Sequence, residues 1–229
     1  MKSEILLLHG ALHSKKQFEK MVPLLSEKFI VHSIDFTGHG GKKVSHEMGI
    51  QRFAFDVEEW MFENKKEKIN IFGYSLGGYV GAFLAAQKPE KVSKLMTLNT
   101  KWDWTPQTAA TEVAMLNPEK MEEKIPAFVE QLKNIHHPEY WKSVVTTTAA
   151  YLMDMGNQSP IEISQFEKLP MQVLIACGDR DTSSTIEMNT SVFRRIPNCN
   201  FCALPNTGHP FDKVNLQLLG TIMTQFFLS

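Results

Sequence analysis

Short apolar runs alternate with longer amphipathic stretches along most of the chain. Six runs rich in Val, Ile, Leu or Phe have the length and pattern of strands that are covered on both faces. These runs are 5–8, 29–34, 69–72, 94–98, 173–176 and 200–204. Helical spacing of apolar residues predicts helices over 15–28, 50–64, 76–87, 185–195 and 214–227. The alternation predicts an α/β fold with a mainly parallel sheet between helices, whose ligands bind at the carboxyl ends of the strands.

One segment departs from this alternation. Over residues 102–166 the pattern predicts no strand, and three runs that open with proline are typical of helices: 106–116, 118–135 and 138–153. We interpret 102–166 as a helical cap inserted over the strand ends, which leaves 1–101 and 167–229 as the core. The insertion is rich in large apolar side chains, which suit two uses: lining a pocket and packing the insertion onto the core. They are Trp102, Trp104, Met115, Met121, Tyr140, Trp141, Tyr151, Met153 and Met155.

Composition narrows the class of protein. A chain of 229 residues that is 43% hydrophobic can bury one substantial core. Its 24 Lys and Arg nearly balance 25 Asp and Glu, and no basic stripe is present, so we expect no nucleic-acid partner. The apolar run near the start is too short for a signal peptide, and no run has membrane-spanning length, so we expect a cytoplasmic protein without a membrane partner. The odd set of Cys177, Cys199 and Cys202 favours buried free thiols over disulfides or a metal cluster.

The motif Gly73-Tyr74-Ser75-Leu76-Gly77 stands between a predicted strand and a predicted helix. A Gly-x-Ser-x-Gly turn in this context lifts the serine hydroxyl clear of the sheet, and the flanking glycines are needed because a Cβ there would collide with the turn. Ser75 is therefore the candidate nucleophile. The backbone N–H of Leu76, at the helix N-terminus, is a candidate donor to an oxyanion.

A serine hydroxyl needs a base to take its proton, and the base needs an acidic partner. His209 directly follows the last predicted strand, and Gly208 and Pro210 hold it in a turn, so it is the candidate base. Asp179 and Asp181 both follow the penultimate strand, and the order serine, aspartate, histidine is the one used with this turn. The order alone leaves both aspartates open as the acid.

The loop after the first strand should supply the second oxyanion donor, and we assign it to the N–H of Ala11. His9 and His13 flank that residue. Because no third ligand lies at a characteristic spacing, we expect these histidines to make loop hydrogen bonds and not to bind a metal.

Together these motifs resemble the α/β-hydrolase fold superfamily over nearly the whole chain. Four segments carry the resemblance, in order: the oxyanion loop, the Asp-x-x-Gly-His-Gly loop, the nucleophile turn and the base loop. They are 9–11, 35–40, 73–78 and 208–209. The resemblance implies that the acid ends a Gly-x-x-Asp element, which selects Asp181 over Asp179, and that His39 is a structural loop residue.

The chain also departs from this family. Members often begin with a β-hairpin for which no sequence precedes the first strand here. Six parallel strands are then expected in the spatial order 2-1-3-4-5-6, which leaves the second strand exposed at the sheet edge unless a partner covers it.

The fold hosts esterases, thioesterases, amidases, lyases, dehalogenases and non-catalytic proteins, so single residues must decide. Ser75 in place of aspartate argues against haloalkane dehalogenase and epoxide hydrolase chemistry. Tyr79 stands where succinyl-hydroxycyclohexadiene-carboxylate synthases typically carry arginine, which weakens a lyase interpretation. Lys101, Lys142 and His136 are candidates for binding a substrate carboxylate, and the sequence favours none of them.

We therefore expect a serine hydrolase that cleaves small carboxylic esters or thioesters through an acyl-enzyme, with a small-molecule acyl substrate and no metal or organic cofactor. The alternatives are a lyase or carbon–carbon bond hydrolase that uses the same three residues, and a non-catalytic ligand-binding member of the fold. The substrate and the oligomeric state stay open.

Overall fold

A parallel sheet of six strands forms the centre of the computed structural model, which describes residues 2–229. The strands are β1 (Ser3–Leu8), β2 (Phe29–Ile34), β3 (Ile69–Tyr74), β4 (Val92–Leu98), β5 (Gln172–Gly178) and β6 (Cys199–Leu204). Their spatial order is β2-β1-β3-β4-β5-β6, and every neighbouring pair is parallel. The predicted sheet and strand order are confirmed. Met1, which the predicted core includes, lies outside the described residues.

Helices cover both faces of the sheet, because the strands carry apolar side chains in both directions. The helices are α1 (Val22–Ser26), α2 (Ile50–Glu63), α3 (Leu76–Gln87), α4 (Pro106–Val113), α5 (Pro118–Lys124), α6 (Pro126–His136), α7 (Trp141–Asn157), α8 (Ile163–Phe166), α9 (Ile186–Phe193) and α10 (Leu216–Leu228). Ile71 and Leu95 pack with α2 and α3 on one face. Phe72 and Met96 pack with α1 and α10 on the other.

Proline breaks two of the predicted helices. The predicted helix 15–28 is a 3₁₀ turn followed by α1, whose first turn holds Pro23. The predicted helix 118–135 is divided into α5 and α6 at Pro126. Proline has no N–H to donate, and its ring clashes with the carbonyl four residues earlier, so it is tolerated only where a helix begins.

The five helices α4 to α8 follow one another between β4 and β5. Side chains of α5, α6 and α7 pack around Trp141, which is fully buried, and this cluster also takes in Leu12 from the loop after β1. Met121 belongs to the same cluster, whereas Tyr151 and Met155 join the apolar face of the sheet. Most of the large apolar side chains of this segment therefore pack the helices together and onto the sheet.

The two edge strands of the sheet, β2 and β6, are more exposed than the strands between them. In the described part of the chain β2 pairs only with β1, and Ile30 is 46% exposed. All three cysteines are free, but only Cys177, on the interior strand β5, is buried. Cys199 and Cys202 are half-buried because β6 is an edge strand, so the expectation of buried thiols was wrong for them.

No helix among residues 2–229 combines the length and the apolar character needed to cross a bilayer.

Buried histidines hold together the loops that follow β1 and β2. His9 accepts the N–H of Phe36 at its Nε2 (3.2 Å) while its Nδ1 lies 2.8 Å from a backbone carbonyl. His136, at the end of α6, accepts the N–H of Gly40 at Nδ1 (3.2 Å), and its Nε2 lies 3.0 Å from the carbonyl oxygen of Leu12. A ring that accepts at one nitrogen and donates at the other is neutral, so these contacts require uncharged histidines.

Burial keeps these rings neutral. Desolvation lowers the pKa of His9 and His136, and it lowers the pKa of His39, which is fully buried between them, to about 3. His39 lies 3.1 Å, through its Nδ1, from the carbonyl oxygen of Thr37 in its own loop. The protein therefore folds with neutral imidazoles that the unfolded chain would protonate in mild acid.

Acid should destabilise the protein through these histidines. In the unfolded chain a histidine takes up its proton near pH 6.5, whereas His39 in the folded protein does so near pH 3. The stability that His39 contributes is fully present above pH 6.5 and falls as the pH drops from 6.5 towards 3, by up to about 1.4 kcal/mol per pH unit. Urea unfolding of wild type and His39→Gln at pH 7.5, 6.5, 5.5 and 4.5 should show a shallower loss in the variant. His46→Gln, at an exposed histidine, is the control and should keep the wild-type slope; equal slopes for all three proteins would contradict the prediction.

Candidate functional site

Ser75 lies at the bend between β3 and α3 and has a left-handed backbone, with φ 51° and ψ −117°. A serine rarely adopts this conformation, so neighbouring groups must hold it there. Its N–H donates to the carbonyl oxygen of Leu98 at 2.8 Å, and its own carbonyl oxygen accepts the hydroxyl of Thr100 at 3.1 Å. Both contacts come from the end of β4, so the adjacent strand fixes the bend.

The flanking glycines allow three chain segments to meet at this bend. A Cβ on Gly73 would lie 2.3 Å from the carbonyl oxygen of Gly77, and a Cβ on Gly77 would lie 2.1 Å from the carbonyl oxygen of Leu8. Any side chain there would force β1, β3 and α3 apart. The loop after β1 also comes close to the bend, because a Cβ on Gly10 would lie 2.8 Å from the Tyr74 ring and within contact distance, 3.5 Å, of the Cβ of Ser75.

His209 faces Ser75 from the loop after β6. Its Nε2 lies 3.2 Å from the Ser75 Oγ, and its Nδ1 lies 2.7 Å from the Oδ2 of Asp181. The Asp181 side chain is fully buried, and its Oδ1 accepts the backbone N–H groups of Ser183 (2.8 Å) and Ser184 (2.9 Å). These two N–H groups satisfy the carboxylate oxygen that does not face the imidazole, so neither oxygen of the buried side chain lacks a hydrogen-bond partner.

Asp179, the other acidic candidate, makes its hydrogen bond to the backbone of the loop after β6. Its Oδ1 accepts the N–H of Thr207 at 3.0 Å, and this hydrogen bond lowers the pKa of the exposed carboxyl. Asp179 therefore stabilises the turn that leads to His209, while Asp181 contacts the ring. The structure brings Ser75, Asp181 and His209 together and leaves Asp179 outside this set.

Two residues that the sequence analysis did not select hold the histidine loop in place. The Tyr74 hydroxyl donates to the carbonyl oxygen of His209 at 2.5 Å, and the Asn99 amide donates to the carbonyl oxygen of Gly208 at 3.0 Å. The side-chain oxygen of Asn99 also accepts the N–H of Gly178 at 2.7 Å, so Asn99 joins the loops after β5 and β6. The sequence signal for a role of Asn99 in the site was its position directly after β4, because the carboxyl ends of all strands of a parallel sheet lie at the same edge.

A small cavity of about 60 Å³ opens next to Ser75. The two residues assigned as oxyanion donors, Ala11 and Leu76, both line it. The N–H of Leu76 belongs to the first turn of α3 and has no carbonyl four residues earlier within the helix to bind. The cavity therefore places a helix N-terminus and the loop after β1 on the same side as the serine.

The cavity wall also carries two side chains of opposite charge, Lys101 and Glu112. Of the three cationic candidates, Lys101 is the one that lines it: Lys142 pairs with Glu122 on the surface, and His136 belongs to the loop network described above. Of the nine large apolar side chains named above for segment 102–166, Trp104 lines it, and Leu152 of α7 lines it as well. Among residues 2–229, no cluster of three or more His, Cys, Asp or Glu side chains is arranged to hold a metal ion.

This chain matches a known protein family over more than half of its length. Residues 5–137 match the family model described as alpha/beta hydrolase fold. A serine hydrolase-like protein of Homo sapiens is 33% identical over 100 residues, which are 42% of this chain and 49% of that protein, so the match spans about half of the human relative. A putative 2-succinyl-6-hydroxy-2,4-cyclohexadiene-1-carboxylate synthase of Bacillus subtilis is 25% identical over 98% of this chain and 90% of its own length.

Solved structures agree on the fold. The enol-lactonase of Burkholderia xenovorans superposes with a TM-score of 0.83 at 16% identity, over 100% of this chain and 92% of that one. At this identity the likeness concerns the fold alone. Since the family model covers more than half of the sequence and the strand order and bend agree with it, this chain belongs to the alpha/beta hydrolase fold family.

Proposed function

We propose that this protein is a serine hydrolase of small carboxylic esters or thioesters, in which Ser75 is the nucleophile, His209 the base and Asp181 the acid. One observation carries the proposal: a continuous path of hydrogen-bonding atoms leads from the Ser75 Oγ through both ring nitrogens of His209 to the buried Asp181 carboxylate. The 3.2 Å between hydroxyl and imidazole is within reach of proton transfer.

In the proposed reaction the Ser75 Oγ attacks the acyl carbonyl carbon while its proton passes to the His209 Nε2. The carboxylate of Asp181 keeps the other proton on Nδ1 and stabilises the imidazolium that forms. The carbonyl oxygen becomes an oxyanion that the N–H groups of Ala11 and Leu76 bind. The oxyanion then collapses with cleavage of the ester C–O or thioester C–S bond, the imidazolium protonates the leaving alkoxide or thiolate, and an acyl-enzyme remains. Water, deprotonated by His209, releases the acid and restores the serine.

The size of the cavity supports a small acyl group. A space of about 60 Å³ holds only a few water-sized groups, which suits a short chain better than a long lipid tail. We further propose that segment 102–166 acts as the cap of this cavity, because α4 contributes Glu112 and α7 contributes Leu152 to its wall.

A second candidate comes from the Bacillus subtilis relative, which is named a putative synthase and matches nearly the whole chain. Tyr79 weighs against transferring that activity. Tyr79 lines the cavity where such synthases typically carry arginine, and its hydroxyl is 3.0 Å from the Ser159 Oγ. If the protein cleaves no ester but Ser75 still reacts with phosphonates, the synthase candidate gains over the hydrolase.

Replacing Ser75 by alanine should abolish turnover. Ser75→Ala removes the attacking oxygen, so kcat/KM for short p-nitrophenyl esters should fall at least about 10³-fold. Wild type should show a burst of nitrophenolate, the variant none, and a fluorophosphonate should add mass to wild type alone. Ser143→Ala, at an exposed serine on α7, is the control and should behave as wild type. If Ser75→Ala and wild type hydrolyse a broad ester panel equally slowly, the hydrolase proposal is wrong.

The two aspartates should differ strongly. Asp181→Asn keeps the shape of the side chain but favours the wrong imidazole tautomer, so kcat should fall between about 10³- and 10⁴-fold. Asp179→Asn keeps an oxygen that can accept the N–H of Thr207, and kcat should fall less than about tenfold. Steady-state kinetics at pH 8 on the same ester measures both. Similar losses in the two variants would mean that Asp181 has no special role at His209.

A further inference from the structure

The wall of the candidate cavity contains an ion pair that the proposed reaction does not use. The Lys101 Nζ lies 3.3 Å from the Oε1 of Glu112, and the two side chains are only 12% and 29% exposed. Lys101 follows β4 in the core, whereas Glu112 stands on α4 of the insertion. Both line the same small cavity as Ser75 and His209, so any acyl substrate that reaches the serine meets this pair.

Both members of the pair keep hydrogen-bonding capacity. The Glu112 Oε1 is shared, because it also accepts the Ser183 hydroxyl at 2.6 Å. Within the described residues, the hydrogen bonds of Glu112 involve this oxygen and leave its Oε2 free to accept. The Lys101 ammonium has three N–H donors, and besides Glu112 it faces the ring of Trp104 at 5.7 Å. The pair therefore offers the cavity donors and an acceptor side by side.

Charge decides what kind of group fits there. Lys101 and Glu112 neutralise each other, so a substrate carboxylate would add an unpaired negative charge to a poorly hydrated wall, and an ammonium would add an unpaired positive one. A plain alkyl group would leave the donors and the acceptor desolvated without partners. A neutral group that both accepts and donates, such as an amide or a hydroxyl, avoids both penalties.

Resting on the proposed hydrolase function, we infer that Lys101 and Glu112 determine specificity for acyl groups that carry an uncharged amide or hydroxyl. The carbonyl or hydroxyl oxygen of that group accepts from the Lys101 ammonium. Its N–H or O–H donates to the Glu112 Oε2. Ser183 keeps Glu112 in place through the other oxygen and, through its backbone N–H, also contacts Asp181, so the pair stands next to the reacting groups.

Three methyl esters of matched chain length test this inference: methyl succinamate, monomethyl succinate and methyl pentanoate, with acid release followed in a pH-stat. They end in an amide, a carboxylate and an alkyl group of closely similar size. For wild type, kcat/KM should be at least about tenfold higher for the succinamate than for either of the others. A wild-type preference for the succinate or the pentanoate would overturn the inference.

Removing the negative charge of Glu112 and removing the positive charge of Lys101 should shift the preference between the succinate and the succinamate in opposite directions. Glu112→Gln keeps an oxygen for Ser183 but leaves Lys101 uncompensated, so the succinate should gain at least about tenfold in kcat/KM relative to the succinamate. Lys101→Met leaves Glu112 uncompensated, so the succinate should lose relative to the succinamate. A role of the pair in packing alone would change all three esters by the same factor and would not reverse with the sign of the charge.

Lys142→Met is the matched control, because it breaks the ion pair of Lys142 with Glu122, 3.1 Å apart on the surface of the insertion. It should leave the preference among the esters unchanged. Thermal unfolding and fluorophosphonate labelling of Ser75 show whether each variant is folded, and if one is not, the other still gives the direction of the change. Unchanged ratios in both Lys101→Met and Glu112→Gln would overturn the inference while the hydrolase function stands. Failure of wild type to cleave any of the three esters, while it still cleaves p-nitrophenyl esters through Ser75, would also overturn the inference alone. Failure on both sets of esters would contradict the hydrolase function itself.

Discussion

The left-handed backbone of Ser75 is the constraint on which the rest of the structure depends. This conformation is unfavourable for a serine by about 1–3 kcal/mol, and it persists because β1, β3 and α3 meet at glycines that exclude any side chain. The end of β4 adds two hydrogen bonds to the same residue. The parallel sheet then brings the aspartate after β5 and the histidine after β6 to the same edge. The strained bend at the end of β3 thus fixes the position around which the ends of β1, β4, β5 and β6 are arranged.

Much of this could be predicted from the sequence, because the signals were local. Six short apolar runs gave the strands within a few residues, and the crossover rule together with the family resemblance gave their order. The bend at Ser75 and the turn at His209 could be predicted because glycine is favoured where backbones approach closely or turn sharply, and because proline fixes φ in turns. The assignment of the acid to Asp181 needed the resemblance, and the distance to His209 agrees with it.

What the sequence could not supply depends on contacts between distant segments. Asn99 links the loops after β5 and β6, and Glu112 on α4 reaches Lys101 and Ser183, which lie in the loops after β4 and β5. The position of Asn99 directly after β4 indicates the edge of the sheet at which it lies but not its partners, and no local pattern indicates the partners of Glu112. The broken helices were a different kind of error: apolar spacing continued through Pro126, and the steric conflict of proline was the stronger effect. The abundance of large apolar groups in the insertion likewise reflected its own packing around Trp141 more than the wall of the cavity.

The contacts of Leu12 join the helices between β4 and β5 to the loop after β1. Its side chain is buried among α5, α6 and α7, and its carbonyl oxygen faces the ring of His136. The adjacent residue along the chain is Ala11, so the contacts of α5, α6 and α7 with Leu12 also fix the position of the segment that carries the Ala11 N–H. A shortened protein in which β4 is joined directly to β5 would keep Ser75, His209 and Asp181 but would lose the contacts that hold Leu12. A change in the length or arrangement of these helices must therefore keep their contacts with Leu12 if the Ala11 segment is to stay in place.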